Sequence, residues 1–235
     1  MAVAAPAEAR AVLSGVQCDW RLADLQWQLA ELASGLDLVV TGVGKSNAAG
    51  AVARVLDPTR HRWVLSAGVC GSLPRLDGAP PLGLRRAVAS TDCRFADEGL
   101  RSDEGFLSLA EMGFPPAPGL TGSIPVDMDL RWRLSQIADE SAPIATVSTC
   151  SGTDDLAMQV VGRTGAAAEA MEGAAVGLVA HRLGVGFAEL RVVSNTTGSR
   201  TRQVWDLAGA LARLSDLASR LPGALAMRAG EDGEG

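Results

Sequence analysis

Leu36-Asp37-Leu38-Val39-Val40-Thr41-Gly42-Val43-Gly44-Lys45-Ser46-Asn47-Ala48-Ala49-Gly50-Ala51 opens the stretch that decides the fold. Residues 36–41 form a short apolar run rich in β-branched side chains, the length of a strand and too short for a helix. Gly42 and Gly44 allow a tight turn with close backbone approach. Residues 46–56 are dominated by Ala and other small residues and read as a helix. Strand, turn and helix in that order are the unit of an α/β domain.

The same reading extends outward. Apolar runs at 63–67, 86–90, 144–148 and 187–193 are further strands, and residues 1–5 are a candidate sixth, cut short at its start. Most are continuous rather than alternating, as in a sheet covered on both faces. Residues 168–183 read as a helix. So do residues 204–221, where Leu207, Leu211, Leu214, Leu217 and Leu221 recur at helical spacing. The expected fold is therefore α/β, a single domain over residues 1–228. Its central sheet is mixed and mainly parallel, flanked by helices. The Pro- and Gly-rich stretch 113–125 reads as a surface loop, and residues 229–235 as a disordered tail.

Composition narrows the function. The 235 residues are 47% hydrophobic, enough for one sizeable core. A net charge of −6 argues against a nucleic-acid or anionic-membrane surface. The four cysteines, Cys18, Cys70, Cys93 and Cys150, are scattered, and His61 and His181 lie far apart, so no metal site is expected. Reduced thiols, the absence of a basic leader and the absence of a run of about 20 apolar residues give the expectation of a cytoplasmic protein.

Two motifs fail on inspection. Gly44-Lys45-Ser46 resembles the end of a phosphate-binding P-loop, but the required earlier glycine falls on Val39, inside the strand. Gly42-Val43-Gly44 begins a dinucleotide fingerprint whose third glycine falls on Asn47.

What survives is a set of strand ends carrying small and polar residues, where ligands bind in α/β sheets. They are 41–44, 68–71, 148–152 and Ser194-Asn195. Glu8 follows the first candidate strand, and Glu172 follows Ala170-Met171 among small apolar residues, where a Glu is rarely buried without a partner. Arg191 lies in an apolar strand and needs an anion, which Glu172 or Glu8 could supply. Taken singly, Glu8 also reads as a first-turn helix residue, Met171 as core filler and Asn195 as a turn cap.

In order, Pro6-Ala7-Glu8, Gly42-Val43-Gly44-Lys45, Ala67-Gly68-Val69-Cys70-Gly71, Met171-Glu172-Gly173 and Arg191-Val192-Val193-Ser194-Asn195 resemble the nucleoside phosphorylase and nucleosidase superfamily. The resemblance covers nearly the whole chain. With Ser194-Asn195-Thr196-Thr197-Gly198-Ser199-Arg200 and Trp205 it is strongest to the futalosine hydrolases. It implies hydrolysis of the N-glycosidic bond of futalosine to hypoxanthine and dehypoxanthinyl futalosine, a step toward menaquinone, with no cofactor. It also implies a homodimer or higher homo-oligomer whose partners are otherwise only nucleoside and water. By the resemblance Glu8 positions or deprotonates water, and Glu172 accepts from ribose hydroxyls. Met171 packs on the sugar, and Arg191 and Ser194 support the water site and Asn195. Val69, Cys70, Gly71, Thr149, Cys150 and Ser151 line the pocket.

The chemistry suits these groups. Breaking an N-glycosidic bond builds positive charge on the ribose and negative charge on the leaving purine, which carboxylates and base-facing hydrogen bonds stabilise. Phosphorylases that resemble this chain carry an Arg and a Thr where Ser66 and Val69 stand. A phosphate dianion wants charged donors, so water is the expected nucleophile. Adenine-specific relatives end the last motif in Asp. Asn195 offers donors and one acceptor, matching a 6-carbonyl and a protonated N7 better than a 6-amino group. The alternatives are a nucleosidase of methylthioadenosine, S-adenosylhomocysteine or aminodeoxyfutalosine, a purine nucleoside phosphorylase, and a nucleoside-binding protein without catalysis. Relatives stack the base on a Phe in the segment matching 148–152. None is present here, which leaves Phe95, Phe106 or Trp205 to serve from elsewhere. Arg94, Asp97 and Glu98 read either as a subunit-contact loop or as a solvated charge run.

Overall fold

Residues 36–56 fold as a strand, a glycine turn and a helix, with Gly44 at φ 95° as the residue preceding the helix. The computed structural model describes residues 1–32 and 35–227, so the expected tail at 229–235 lies outside the described residues. The strands are β1 (Ala2–Val3), β2 (Ala30–Glu31), β3 (Asp37–Val40), β4 (Trp63–Ser72), β5 (Ala87–Phe95), β6 (Gly99–Ser102), β7 (Gly105–Ser108), β8 (Ser123–Pro125), β9 (Glu140–Thr146), β10 (Ala168–Ala170) and β11 (Gly186–Thr196). The helices are α1 (Pro6–Gly15), α2 (Lys45–Val55), α3 (Met128–Ser135), α4 (Asp154–Thr164), α5 (Gly173–Leu183) and α6 (Leu207–Ala226).

Among the described residues, nine strands form one mixed sheet, in the order β10-β9-β5-β11-β4-β1-β3-β2 with β8 beside β5. The β4–β11, β1–β4, β1–β3, β5–β9 and β9–β10 pairs are parallel, and β5–β11 is antiparallel. β10 also pairs antiparallel with β4, so β4, β11, β5, β9 and β10 close a ring. That closure brings the ends of β4, β10 and β11 beside one another.

Strand alternation distributes the core to two faces. Val40, Leu65 and Leu190 pack with Val12 of α1 and with Leu214, Leu217 and Leu221 of α6. Val39, Val64 and Phe187 pack with Ala48, Ala51 and Val52 of α2 and with Ala174 and Val176 of α5. Each large apolar side chain buried in this way contributes roughly 1.5–3 kcal/mol. Among the described residues no helix is long and apolar enough to cross a membrane.

Three expectations shift. Residues 168–183 are not one helix: Ala168–Ala170 is a strand, and the helix begins only at Gly173. The alanines favour helix locally, but pairing with β9 and β4 on both sides overrides that preference. The loop at 113–125 ends in β8, an edge strand that tolerates Pro125. The last helix starts at Leu207, capped by Asp206, and continues through Pro222 to Ala226.

Candidate active site

α1 begins at Pro6, and Glu8 sits in its first turn with its carboxylate turned back toward β1. Oε2 accepts from the backbone N–H of Ala4 and of Ala5, both at 2.9 Å, and Oε1 accepts from Val69 N–H at 2.9 Å. Three of the roughly four acceptor positions of a carboxylate are thereby used. Burial holds Glu8 above its ordinary pKa, opposed by Arg191 and by the N–H groups of Val69 and Ala5, with Glu172 adding to the rise.

Arg191 is the hub. It is buried, and β11 places it level with Gly68 of β4. Its Nε donates to Glu189 at 2.7 Å, and its Nη2 donates to Glu172 at 3.1 Å and to Ser66 Oγ at 3.0 Å. Burial alone would lower its pKa, but Glu189, Glu172 and Glu8 together raise it, so the guanidinium stays charged. The other oxygen of Glu172 accepts from Gly44 N–H at 3.0 Å, tying the glycine turn to the site. Glu172 is the N-cap residue of α5, and Met171 beside it is half-buried.

The β4–β11 register slips between Val193 and Asn195, so that Asn195 lies level with Gly71. Such a bulge re-aims the side chains that follow it. Ser194 Oγ lies 2.8 Å from Asn195 Oδ1 and 3.2 Å from the Cys70 carbonyl. A hydroxyl has one proton, and the shorter contact gives it to Asn195. Asn195 Nδ2 donates to the Thr196 carbonyl at 3.0 Å. This network sets the amide orientation and leaves one N–H and one Oδ1 acceptor position for a ligand.

The loop after β9 is held from several sides. Ser151 donates to Glu169 through its backbone N–H at 2.7 Å and its hydroxyl at 2.6 Å. Gly198 N–H and Gln203 Nε2 donate to the Ser151 carbonyl. Ser148 N–H donates to Asp97, which also pairs with Lys45. Asp97 therefore serves an intramolecular tie. Cys150 is exposed on one side, and partial desolvation, ahead of Glu169 and Glu172, raises its thiol pKa; burial pushes the Cys70 thiol up to about 12. Neither thiol is poised as a nucleophile.

The structure brings Glu8, Arg191 and Glu172 together around Gly68, and Ser194, Asn195, Cys70 and Gly71 together at the strand end. Val69 contributes backbone to Glu8, and Ser151 contributes to Glu169; no hydrogen bond links Thr149 or Cys150 to these groups among the described residues. Of the three aromatics considered, Trp205 pairs by backbone with Asn195 and is half exposed. Phe95 lies under Lys45, and Phe106 lies under Arg163.

Two residues escaped the sequence reading, Glu189 and Glu169. Both are single acids inside buried apolar or Ala-rich runs. The signal that singled out Glu172, a carboxylate where none should be buried alone, applied to them equally.

A cavity of about 420 Å³ opens at the opposite end of the sheet, where Asp37, His61 and Trp63 stand near the strand starts. Its charged side chains are already paired, within the lining or with neighbouring acids. His61 accepts from Asp57 N–H and lies 3.0 Å from Asp37, while Arg60 pairs with Glu31. The buried cluster around Arg191 lies at the other end.

The Phosphorylase superfamily family model matches residues 36–225. The chain is 35% identical to the futalosine hydrolase of Acidothermus cellulolyticus over 76% of its length and 71% of that protein. It is 34% identical to the futalosine hydrolase of Streptomyces coelicolor over 82% of its length and 81% of that protein. The solved structure of a futalosine hydrolase mutant of Helicobacter pylori superposes with a TM-score of 0.68 at 17% identity, covering 95% of this chain and 96% of that one, a likeness of fold. With matches of this extent, the chain belongs to the phosphorylase superfamily and, within it, to the futalosine hydrolases.

Proposed function

We propose that this enzyme hydrolyses the N-glycosidic bond of futalosine, releasing hypoxanthine and dehypoxanthinyl futalosine. The observation that carries the reading is the oriented amide of Asn195 beside the Glu8–Arg191–Glu172 cluster. Asn195 presents one N–H and one acceptor position. Those match the 6-carbonyl and the protonated N7 of a departing hypoxanthine. A 6-amino group would set donor against donor, a mismatch costing about 1–3 kcal/mol.

The sugar and the water fall to the carboxylates. Each oxygen of Glu172 already accepts one bond, from Gly44 or Arg191, and keeps a position for a ribose hydroxyl. Glu8 Oε1 holds its one remaining acceptor position, which suits the proton of an attacking water. Water attacks the anomeric carbon as the C–N bond breaks; one of its protons passes to Glu8, the rest becomes the anomeric hydroxyl, and the purine leaves as neutral hypoxanthine by taking a proton from solvent at N7. A general base so placed contributes about 10²–10⁴-fold.

Hydrolysis is favoured over phosphorolysis by the state of Arg191. Its Nε and Nη2 donors are taken by Glu189, Glu172 and Ser66, its Nη1 donates to the Val69 carbonyl, and the strand end 66–71 adds no cation for a phosphate dianion.

Incubation with futalosine, with and without phosphate, and chromatography of the released base tests this. Phosphate-independent release of hypoxanthine is expected. Release of adenine from 6-amino nucleosides with none from futalosine would overturn it. A homodimer or larger assembly is also proposed. It is supported by the exposed Leu100 and Leu107 on the β6–β7 hairpin and by exposed Phe114, and light scattering at the mass of one chain would refute it.

A further inference from the structure

Glu169 takes no part in the steps above, yet it stands inside the site. β10 places it level with Gly71 of β4, and Gly71 is level with Asn195 of β11. Side chains level with one another across a sheet leave by the same face. Glu169 and Asn195 therefore flank a position where β4 contributes no side chain. A Cβ on Gly71 would lie 3.3 Å from Asn195 Nδ2 and 3.6 Å from Glu169 Cγ. The third neighbour is the Thr197 methyl group, at 2.8 Å. The Thr197 hydroxyl is spent on the Ser72 carbonyl.

The carboxylate is as enclosed as those assigned to the chemistry: Glu169 is 4% exposed, Glu8 4% and Glu172 5%. Ser151 supplies one donor to each Glu169 oxygen. About two acceptor positions remain, and both existing partners are neutral.

We infer, on the reading of this chain as a 6-oxopurine nucleosidase, that Glu169 is a specificity-determining residue that accepts the N1–H of the base while Asn195 donates to its 6-oxygen. A 6-oxopurine presents a donor at N1 beside an acceptor at position 6. A 6-aminopurine presents the reverse, a lone pair at N1 beside an amino group. A carboxylate and an amide N–H side by side complement the first edge and oppose the second at both points. Glu169 thus doubles the discrimination that Asn195 begins, and it anchors the 148–152 loop through Ser151 while doing so.

The test compares futalosine with its 6-amino counterpart on the wild type and on Glu169→Gln. The amide keeps an acceptor for Ser151 and offers an N–H to a bare N1. The expected result is a loss in kcat/KM of about tenfold or more for futalosine and a much smaller loss for the 6-amino compound. The ratio of the two then moves by about tenfold. An equal fractional loss for both would mean that Glu169 only ties down the loop, and the inference falls. Should the variant fail to fold, calorimetry on the wild type decides. Hypoxanthine is expected to bind about tenfold or more tightly than 1-methylhypoxanthine, which lacks the N1 proton; equal affinities overturn the inference. The two readings fail separately. A wild type that releases only adenine defeats the proposed function and this inference together. A hypoxanthine-selective wild type whose selectivity survives Glu169→Gln defeats this inference alone.

Discussion

The Arg191 guanidinium occupies the space beside Gly68 that a side chain would fill: a Cβ at 68 would stand 2.8 Å from Nη1 and 2.8 Å from the Glu8 carboxyl carbon. Gly68 is the gap through which the cation of β11 meets the acid of α1. Gly68→Ala should displace Glu8 from Val69 N–H and lower kcat by about tenfold or more, since small misplacements of reacting groups are costly. Circular dichroism should remain that of the wild type. Unchanged kcat would show that Glu8 does not need this position.

Arg191 neutralises two buried acids, so truncation strands both. Arg191→Met should cost about 3–5 kcal/mol in urea unfolding, the penalty of an uncompensated buried charge. Arg191→Lys should also be strongly impaired, because an ammonium cannot bridge Glu189, Glu172 and Ser66 in their present fork. A lysine variant with wild-type stability and rate would contradict the hub role.

Base choice should move with one atom pair at position 195. Asn195→Asp should raise turnover of 6-amino nucleosides relative to futalosine by about tenfold, a shift of roughly 1–3 kcal/mol in donor–acceptor matching. An unchanged preference for base in a competition assay would count against it.

The pH dependence follows from Glu8. Its pKa is raised, burial being the main cause, and its working form as a base is the carboxylate. Activity should therefore fall as pH drops through a value above that of an ordinary glutamate. Glu8→Gln should abolish this limb along with about 10²–10⁴-fold of the rate. For stability the sign is opposite: the fold favours the protonated form, so Glu8 contributes at low pH and loses that contribution as pH rises through its raised value. Glu8→Gln should then gain on the wild type above that pH in thermal unfolding.

Another tight fit lies at the start of α5. A Cβ on Gly173 would overlap the Glu189 carboxylate. Gly173→Ala should cost about 1–3 kcal/mol by overpacking. It should also loosen the Glu189–Arg191 contact, visible as a lower Tm with a parallel fall in kcat.

How much of this the sequence disclosed depended on the kind of signal. Strands 63–67 and 187–193 were legible because continuous apolar runs survive any environment. β10 was not, because Ala168 and Ala170, following Ala166 and Ala167, spell helix locally and only pairing with β4 and β9 makes residues 168–170 a strand. Missing that strand hid Glu169, since on a helix it would not stand level with Gly71. Glu172 and Asn195 were legible because each sits in a motif of several residues. Glu189 sat two positions from Arg191 in the same strand, where alternation puts both on one face, and yet a lone acid there carried no motif.

The slip in register between Val193 and Asn195 has a consequence for how this enzyme could change over time. On the proposed reading, Arg191 below the slip supports the sugar and water sites, and Asn195 above it meets the base. One kink divides bond breaking from molecular taste. Substitutions beyond it can retune which nucleobase is accepted while the cleaving apparatus stays untouched, so new preferences can arise without passing through an inactive ancestor.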